Sequence, residues 1–381
     1  MVNNKINVRS KNKQNKQNKQ NKQIKQKKTV KKKSGNKVIL SRSPSINKLL
    51  DVTSLVSNKP NNINLCNNLF KLKVNVNNKS RCLNYNDKHV IKFLLNNLKS
   101  SKRLDPAHFI SPKQIMSNCW FNTMFVTFFF SDKGRKYFRF FRNLMITGKK
   151  YDNTYISDTK IRKLLFALNL FIEASYNQKN SSLFDNINYL TNNLNTNFFI
   201  KEIYDNINKE NLENSIPNIK DAGNPLVYYK TIIKYLKYDV LKILNLYIYD
   251  KKNIINLFNY YVKNNNIPDI IVIEDFESTS VFEKGYTIKL DDNIYNYSLD
   301  SIIITNKDHF DENANSHFVS LATINKKEYK FDGSSYSKLS LFNWKSLINK
   351  NKDWAFKENP NYYPEKYNFT KGYKLMFYYR I

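Results

Sequence analysis

A short and almost wholly apolar stretch constrains the fold of this chain more than any other feature. Residues 119–130 read Cys-Trp-Phe-Asn-Thr-Met-Phe-Val-Thr-Phe-Phe-Phe, and they follow a polar loop that contains Pro112. The run is shorter than the ~18 apolar residues of a membrane span, so we do not expect it to cross a membrane. Its apolar pattern predicts a buried helix over residues 121–130. We expect Asn118 to cap this helix. Cys119 then lies in the first turn, where the positive end of the helix dipole favours a thiolate.

Positive charge is concentrated at the N-terminus. The 381 residues have a formal net charge of +32, and residues 1–50 contain 16 Lys and Arg but no Asp or Glu. A one-signed segment of low hydrophobicity cannot offset the entropy of ordering, so we predict a disordered basic tail over residues 1–50. The tail either contacts nucleic acid or another polyanion, or is a nuclear localisation signal, or is solvated without a specific partner. Charge patterning alone does not separate these alternatives.

The three cysteines, Cys66, Cys82 and Cys119, form no CxxC pair and are odd in number. This pattern disfavours a disulfide framework and a cysteine zinc site, so we expect neither a metal nor a cofactor. A reducing intracellular compartment, in which a thiol nucleophile survives, fits it best. The N-terminus lacks the apolar segment of a secretory signal, so we expect neither secretion nor a membrane partner.

The hydrophobic period changes along the chain from helical to strand-like. Helical patterns occur at residues 87–100, 121–130, 135–146, 158–174, 199–207, 225–246 and 341–349, and strand patterns at 267–275, 286–290, 294–304, 316–324, 328–333 and 372–380. Helices first and antiparallel sheet second predict an α+β fold. We assign residues 51–104 to a linker with a small helical segment and residues 105–381 to the main domain.

One predicted hairpin brings a histidine and an aspartate together. His317 opens an apolar strand, and Asp332 ends the next one. If the turn consists of Asn325 and Lys326 alone, Val319 pairs with Asp332, and the side chains of His317 and Asp332 project to the same side. A turn of odd length would place Asp332 on the opposite face. The pair supplies the base and the orienting group that a thiol nucleophile needs.

Each of these residues has an ordinary structural interpretation as well. A single histidine on an apolar strand is usually a satisfied core residue, and Asp-Gly is usually a turn. His309 is a competing base, but it lies in a polar stretch over residues 306–315 and ranks below His317. His108 precedes the cysteine loop, and nothing requires it.

Three short motifs resemble those of a known family. Gln114 followed by residues 118–123, Asn-Cys-Trp-Phe-Asn-Thr, resembles the cysteine box of papain-fold ubiquitin-specific peptidases. Residues 317–332 resemble the histidine box of that family, and residues 372–380 its aromatic closing strand. The composition suits the divergent forms that large DNA viruses encode. The sequence departs from the family at residues 116–118 and in lacking the CxxC pairs of a zinc finger.

The resemblance implies a papain-like architecture in which the nucleophile helix packs on a C-terminal sheet. It implies Cys119 as nucleophile, His317 as base, Asp332 as the residue that orients the base, and Gln114 as an oxyanion donor. The activity would be hydrolysis of a peptide or isopeptide bond in a protein, with ubiquitin or a ubiquitin-like modifier as candidates. A viral source would place the protein in the host cytoplasm or nucleus and in the virion. The alternative is a basic virion or nucleic-acid-associated protein whose peptidase-like site is idle.

Overall fold

The computed structural model describes residues 63–381, with gaps within that range. The gaps are residues 67, 101–103, 116, 177–195, 210–224, 238–240, 249–253, 265–266, 277–280, 291, 309–315, 335–337 and 357–364. The basic tail predicted over residues 1–50, and the competing base His309, lie outside the described residues.

Helices dominate the first half of the described chain. They are α1 (Lys88–Leu98), α2 (Cys119–Phe129), α3 (Gly134–Tyr137), α4 (Arg139–Thr147), α5 (Thr159–Tyr176), α6 (Thr196–Lys209) and α7 (Pro225–Tyr235). All eleven residues of α2 are buried, as its apolar sequence requires. None of the helices in the described part of the chain is both long and apolar enough to cross a bilayer.

The second half forms a mixed sheet. Its strands are β3 (Ile243–Ile248), β4 (Ile270–Asp275), β5 (Gly285–Leu290), β6 (Asn293–Thr305), β7 (Phe318–Ile324), β8 (Lys327–Phe331), β9 (Leu339–Leu341) and β12 (Lys374–Arg380), with helix α8 (Ile254–Asn264) between β3 and β4. The spatial order is β3-β4-β12-β6-β7-β8-β9, and β5 also pairs with β6. The α+β class is confirmed. The expectation of a purely antiparallel sheet was wrong, because β3 joins β4 in parallel.

Both faces of the sheet are covered. On one face, alternate residues such as Val272, Ile303 and Phe377 join an apolar core shared with the helices. Their neighbours Ile271 and Ile302 face a second core. That second core includes α8, the short 3₁₀ helix Trp344–Ser346 and the small hairpin of β10 (Trp354–Ala355) and β11 (Lys366–Tyr367). Helix α2, which begins at Cys119, packs directly on β7.

The segment before the cysteine loop shares the helical core. A hairpin of β1 (Lys71–Val76) and β2 (Lys79–Asn84) precedes α1, and its buried side chains pack with those of the later helices. Cys66 and Cys82 are joined by a disulfide with a Cα–Cα distance of 6.1 Å. The cysteine pattern disfavoured a disulfide framework, and this bridge is a departure from that expectation. An odd count excludes pairing of all three, but it does not exclude one bridge across a hairpin.

Three other boundaries differ from the predictions. The helix predicted over residues 225–246 ends at Tyr235, where Lys237 adopts a left-handed conformation (φ 52°), and residues 243–248 become the edge strand β3. The helix predicted over 341–349 is only the one-turn 3₁₀ helix, which follows β9. The helix predicted over 135–146 is divided at Phe138 into α3 and α4.

Candidate active site

The β7–β8 hairpin brings His317 and Asp332 into contact. Ser320 pairs with Phe331 and Ile324 with Lys327, so the turn consists of Asn325 and Lys326 alone, the even-length alternative, and Lys327 belongs to β8. The same register places Val319 opposite Asp332. His317 immediately precedes β7, Asp332 immediately follows β8, and both lie at the open end of the hairpin. The His317 Nε2 atom is 2.7 Å from Asp332 Oδ1. The geometric prediction for this pair is confirmed, whereas a catalytic role remains a prediction.

The chain just after α2 holds the turn of this hairpin. Asn325 and Lys326 have φ values of 51° and 64°, as a tight two-residue hairpin turn requires. Their N–H groups donate to the Asp132 carboxylate at 2.9 and 2.8 Å, and the Asp132 N–H donates to Thr323 O at 2.8 Å. The C-terminal end of α2 is therefore linked to the turn of the hairpin that carries His317 and Asp332.

Cys119 begins α2 and is buried, with 4% of its surface exposed. The prediction that the Asn118 side chain caps this helix was wrong, because it makes no hydrogen bond to the first turn. Asn118 Oδ1 instead accepts from Ile115 N at 2.9 Å, and Asn118 Nδ2 donates to Thr196 Oγ1 at 2.6 Å. The Cys119 N–H lies in the first turn of α2, where the helix itself offers no acceptor, and the Asn118 side chain does not cap it.

The ionisation of His317 depends on its two acidic neighbours. Burial alone would lower the pKa of the imidazole, but hydrogen bonds and charges from Asp332 and Cys119 raise it from 6.5 to about 10. Burial likewise opposes ionisation of Asp332, but the hydrogen bond to His317 and those from Ser334 keep the pKa of this carboxyl below its usual value. The arrangement therefore favours a protonated His317 imidazole beside the Asp332 carboxylate.

Gln114 faces the other side of the imidazole ring. Its Nε2 atom is 3.5 Å from His317 Nδ1, the ring nitrogen that Asp332 does not contact. The Gln114 N–H donates to Gly333 O at 3.4 Å, which joins the loop before α2 to the end of β8. All four residues singled out from the sequence thus lie at one place, since the side chain of Cys119 is close enough to His317 to help raise the pKa of the imidazole.

Sequence reasoning missed several residues that support this group. Ser334 donates to Asp332 Oδ1 from both N and Oγ, at 2.8 and 2.7 Å, and Asn306 Oδ1 accepts from His317 N at 3.0 Å. The Asp-Gly-Ser sequence is a signal for the first of these contacts, because Asp side chains often accept from the N–H two residues later. Nothing in the sequence indicates the contact made by Asn306.

An acidic residue also lies near the pair. Tyr367 donates to Glu365 Oε2 at 3.2 Å. Burial raises the pKa of Glu365, and the positive charge of His317 partly opposes that change. No sequence pattern suggested that Glu365 lies near the His317–Asp332 pair, because some thirty residues separate Glu365 from Asp332 along the chain.

The other described histidines form separate pairs. His108 Nδ1 lies 3.0 Å from Asp105 Oδ2, and His89 Nδ1 lies 3.0 Å from Asp87 Oδ1. Asp87 also caps α1 by accepting from His89 N. Within the described part of the chain, no group of three or more His, Cys, Asp or Glu residues is arranged to hold a metal ion.

Comparisons with known proteins give structural likeness alone. No protein-family description and no curated protein matches the sequence. The chain is similar to a chain of the SAGA Ubp8/Sgf11/Sus1/Sgf73 DUB module bound to ubiquitin aldehyde, with a TM-score of 0.44 and 12% identity over 74% of this chain and 71% of that one. For the Saccharomyces cerevisiae Pan2 pseudoubiquitin hydrolase–RNA exonuclease module with RNA, the TM-score is 0.38 and the identity 12%, over 72% and 54% of the chains. At these values the likeness assigns neither residues nor a substrate to this chain.

Proposed function

We propose that this chain is a papain-like cysteine peptidase or isopeptidase that acts through an acyl-thioester on Cys119. The observation that carries the proposal is the convergence of Cys119, at the start of a buried helix, with the hydrogen-bonded His317–Asp332 pair. A nucleophile, a base and a group that orients the base form the minimal set for this chemistry.

The reaction would proceed in two acyl transfers. The Cys119 thiolate attacks the carbonyl carbon of the scissile amide, and the carbonyl oxygen becomes an oxyanion. The C–N bond then breaks as the His317 imidazolium donates its proton to the leaving amine, which leaves a thioester on Cys119. His317, now neutral, takes a proton from water as the hydroxyl attacks the thioester. Collapse of the second oxyanion releases the acid and restores the thiolate–imidazolium pair.

Two donors would stabilise the oxyanion. One is the Cys119 N–H, which the Asn118 side chain leaves uncapped, and the other is Gln114 Nε2. In comparable sites, removal of one donor of this kind costs about 3 kcal/mol of transition-state stabilisation. Asp332 would hold the imidazole with Nε2 toward the carboxylate, so that Nδ1 serves the thiol and the leaving group.

The substrate we propose is a protein, with ubiquitin or a ubiquitin-like modifier as the first candidate. The support for this choice is the resemblance of the cysteine and histidine motifs to those of ubiquitin-specific peptidases. A host cytoplasmic or nuclear location, and contact of residues 1–50 with a polyanion, belong to the same proposal. The location rests on the resemblance to virus-encoded forms, and the polyanion contact rests on the charge of the tail. The Cys66–Cys82 disulfide removes the cysteine pattern as support for a reducing compartment.

Labelling with electrophiles tests the proposal. The protein is treated in parallel with ubiquitin carrying a C-terminal electrophile and with a general cysteine-reactive epoxide. Cys119 is the only free thiol among the three cysteines, all of which are described, so labelling is simple to assign. Wild type should react with one or both reagents, whereas Cys119→Ala should react with neither.

His108, which also lies beside an aspartate, provides the control for substitution of the proposed base His317. His317→Gln should slow labelling strongly, whereas His108→Gln should leave the rate unchanged, although His108 also contacts an aspartate at 3.0 Å. Reaction with ubiquitin indicates a deubiquitinase, and reaction with the epoxide alone indicates a peptidase of other specificity. If neither reagent modifies Cys119, or if both histidine variants behave alike, the proposal is wrong.

A further inference from the structure

Two buried amide atoms beside the candidate site have no hydrogen-bond partner among the described residues. They are Gln114 Oε1, an acceptor, and Asn122 Nδ2, a donor. Both border the same space, since a Cβ atom built on Gly333 would lie 3.2 Å from Gln114 Oε1 and 3.8 Å from Asn122 Nδ2. Buried polar atoms are rarely left unpaired, so an unpaired donor and an unpaired acceptor that border the same space require an explanation.

A chain of hydrogen bonds orients Asn122. It starts at Ile115 N, which can only donate, so Asn118 must present Oδ1 to it and Nδ2 to Thr196. The Thr196 hydroxyl accepts from Asn118 Nδ2 and donates to Asn122 Oδ1 at 3.2 Å. Asn122, whose side chain is wholly buried, is left with Nδ2 as the group it presents to the space beside Gly333.

We propose that Asn122 is a positioning residue that sets the orientation of the Gln114 amide, an inference that rests on the proposed function. When a substrate closes the site, Asn122 Nδ2 donates to Gln114 Oε1, and Gln114 Nε2 is thereby held toward Cys119. Catalytic hydrogen bonds are often long before substrate binds and shorten in the complex. The orientation matters because the two ends of an amide have nearly the same shape. A reversed Gln114 would present an oxygen to the oxyanion and repel it.

The test compares two reactions of Cys119 that differ in one respect. Acylation by p-nitrophenyl acetate passes through a tetrahedral oxyanion, whereas alkylation by iodoacetamide is a direct displacement without one. The key variant is Asn122→Asp, which keeps an acceptor for Thr196 but replaces the donor with a second acceptor. The matched control is Asn169→Asp on α5. Asn169 is equally buried, its Nδ2 atom also lacks a partner among the described residues, and its Oδ1 accepts from Arg142 Nε at 3.1 Å.

Asn122→Asp should slow acylation about 10- to 100-fold and change alkylation less than about twofold. Gln114→Ala should have the same selective effect, and the double variant should be no slower than Gln114→Ala alone, because both changes remove one function. Asn169→Asp should change neither reaction. Thr196→Val, which introduces no charge, should slow acylation selectively even if Asn122→Asp does not fold.

Three results would overturn the inference. These are normal acylation in both Asn122→Asp and Thr196→Val, additive losses in the double variant, or an equal fall in both reactions. If Gln114→Ala slows acylation selectively but Asn122→Asp and Thr196→Val do not, the role of Asn122 is wrong and the proposed function stands. Failure of wild-type Cys119 to be acylated faster than a free cysteine would overturn the proposed function itself.

Discussion

The charge of Asp332 should control the protonation of His317. Asp332→Asn keeps the size of the side chain and an oxygen that accepts from Nε2, but removes the negative charge 2.7 Å from that atom. A hydrogen bond to a charged group contributes about 1.5–3 kcal/mol, and one pKa unit corresponds to about 1.4 kcal/mol, so the change should lower the pKa of His317 by about 1 to 2. The wild-type value of about 10 would then fall to about 8–9.

Nuclear magnetic resonance of protein labelled with ¹⁵N-histidine measures this directly, because the chain has only 4 histidines. The resonance missing from His317→Gln identifies the residue of interest. Asp105→Asn, which alters the aspartate beside His108, is the control and should leave the His317 titration unchanged. The reasoning is refuted if wild-type His317 titrates near 6.5, or if Asp332→Asn leaves its titration unchanged.

Three further predictions concern stability and the oxyanion donor. Folding raises the pKa of His317 from 6.5 to about 10, so the protonated imidazole should stabilise the fold fully below about pH 6.5 and cease to do so as the pH rises through about 10. Between these pH values, urea unfolding should show a steeper loss of stability for wild type than for His317→Gln. Asp132→Ala removes the acceptor of two N–H groups in the hairpin turn and should lower the free energy of unfolding by about 2–4 kcal/mol, whereas Asp152→Ala in an exposed turn should change it little. Gly333→Ala should slow acylation of Cys119 but not its alkylation, because the new methyl group would lie 3.2 Å from Gln114 Oε1 and displace that side chain. If the substitution leaves acylation unchanged, or slows both reactions by the same factor, the account is contradicted.

The parts of the fold that the sequence predicts well are those set by local rules. A two-residue turn at Asn325 and Lys326 fixes the register of a hairpin, and the alternation of side chains along a strand then places His317 beside Asp332. The amphipathic pattern of α1 is equally local. No contact distant in sequence is needed to predict either feature.

The parts that could not be predicted depend on partners distant in sequence. Asn118 has the right identity and position for a cap, but a contact with Thr196, 78 residues away, takes its side chain elsewhere. Residues 243–248 have apolar side chains that suit a helix or a strand. They form a strand because they pair in parallel with the edge of β4. The contact of Asn306 with His317 likewise arises only when β6 and β7 pair.

The most direct test of the central claim, that Cys119 is a nucleophile activated by His317, is the burst of p-nitrophenolate released when the protein is mixed with p-nitrophenyl acetate. The account predicts about one p-nitrophenolate per chain in the burst, with the acetyl group found by mass spectrometry on the peptide that contains Cys119. The burst should vanish in Cys119→Ala and be slowed at least about 100-fold in His317→Gln. A burst of equal size in Cys119→Ala, or an unchanged rate in His317→Gln, would contradict it.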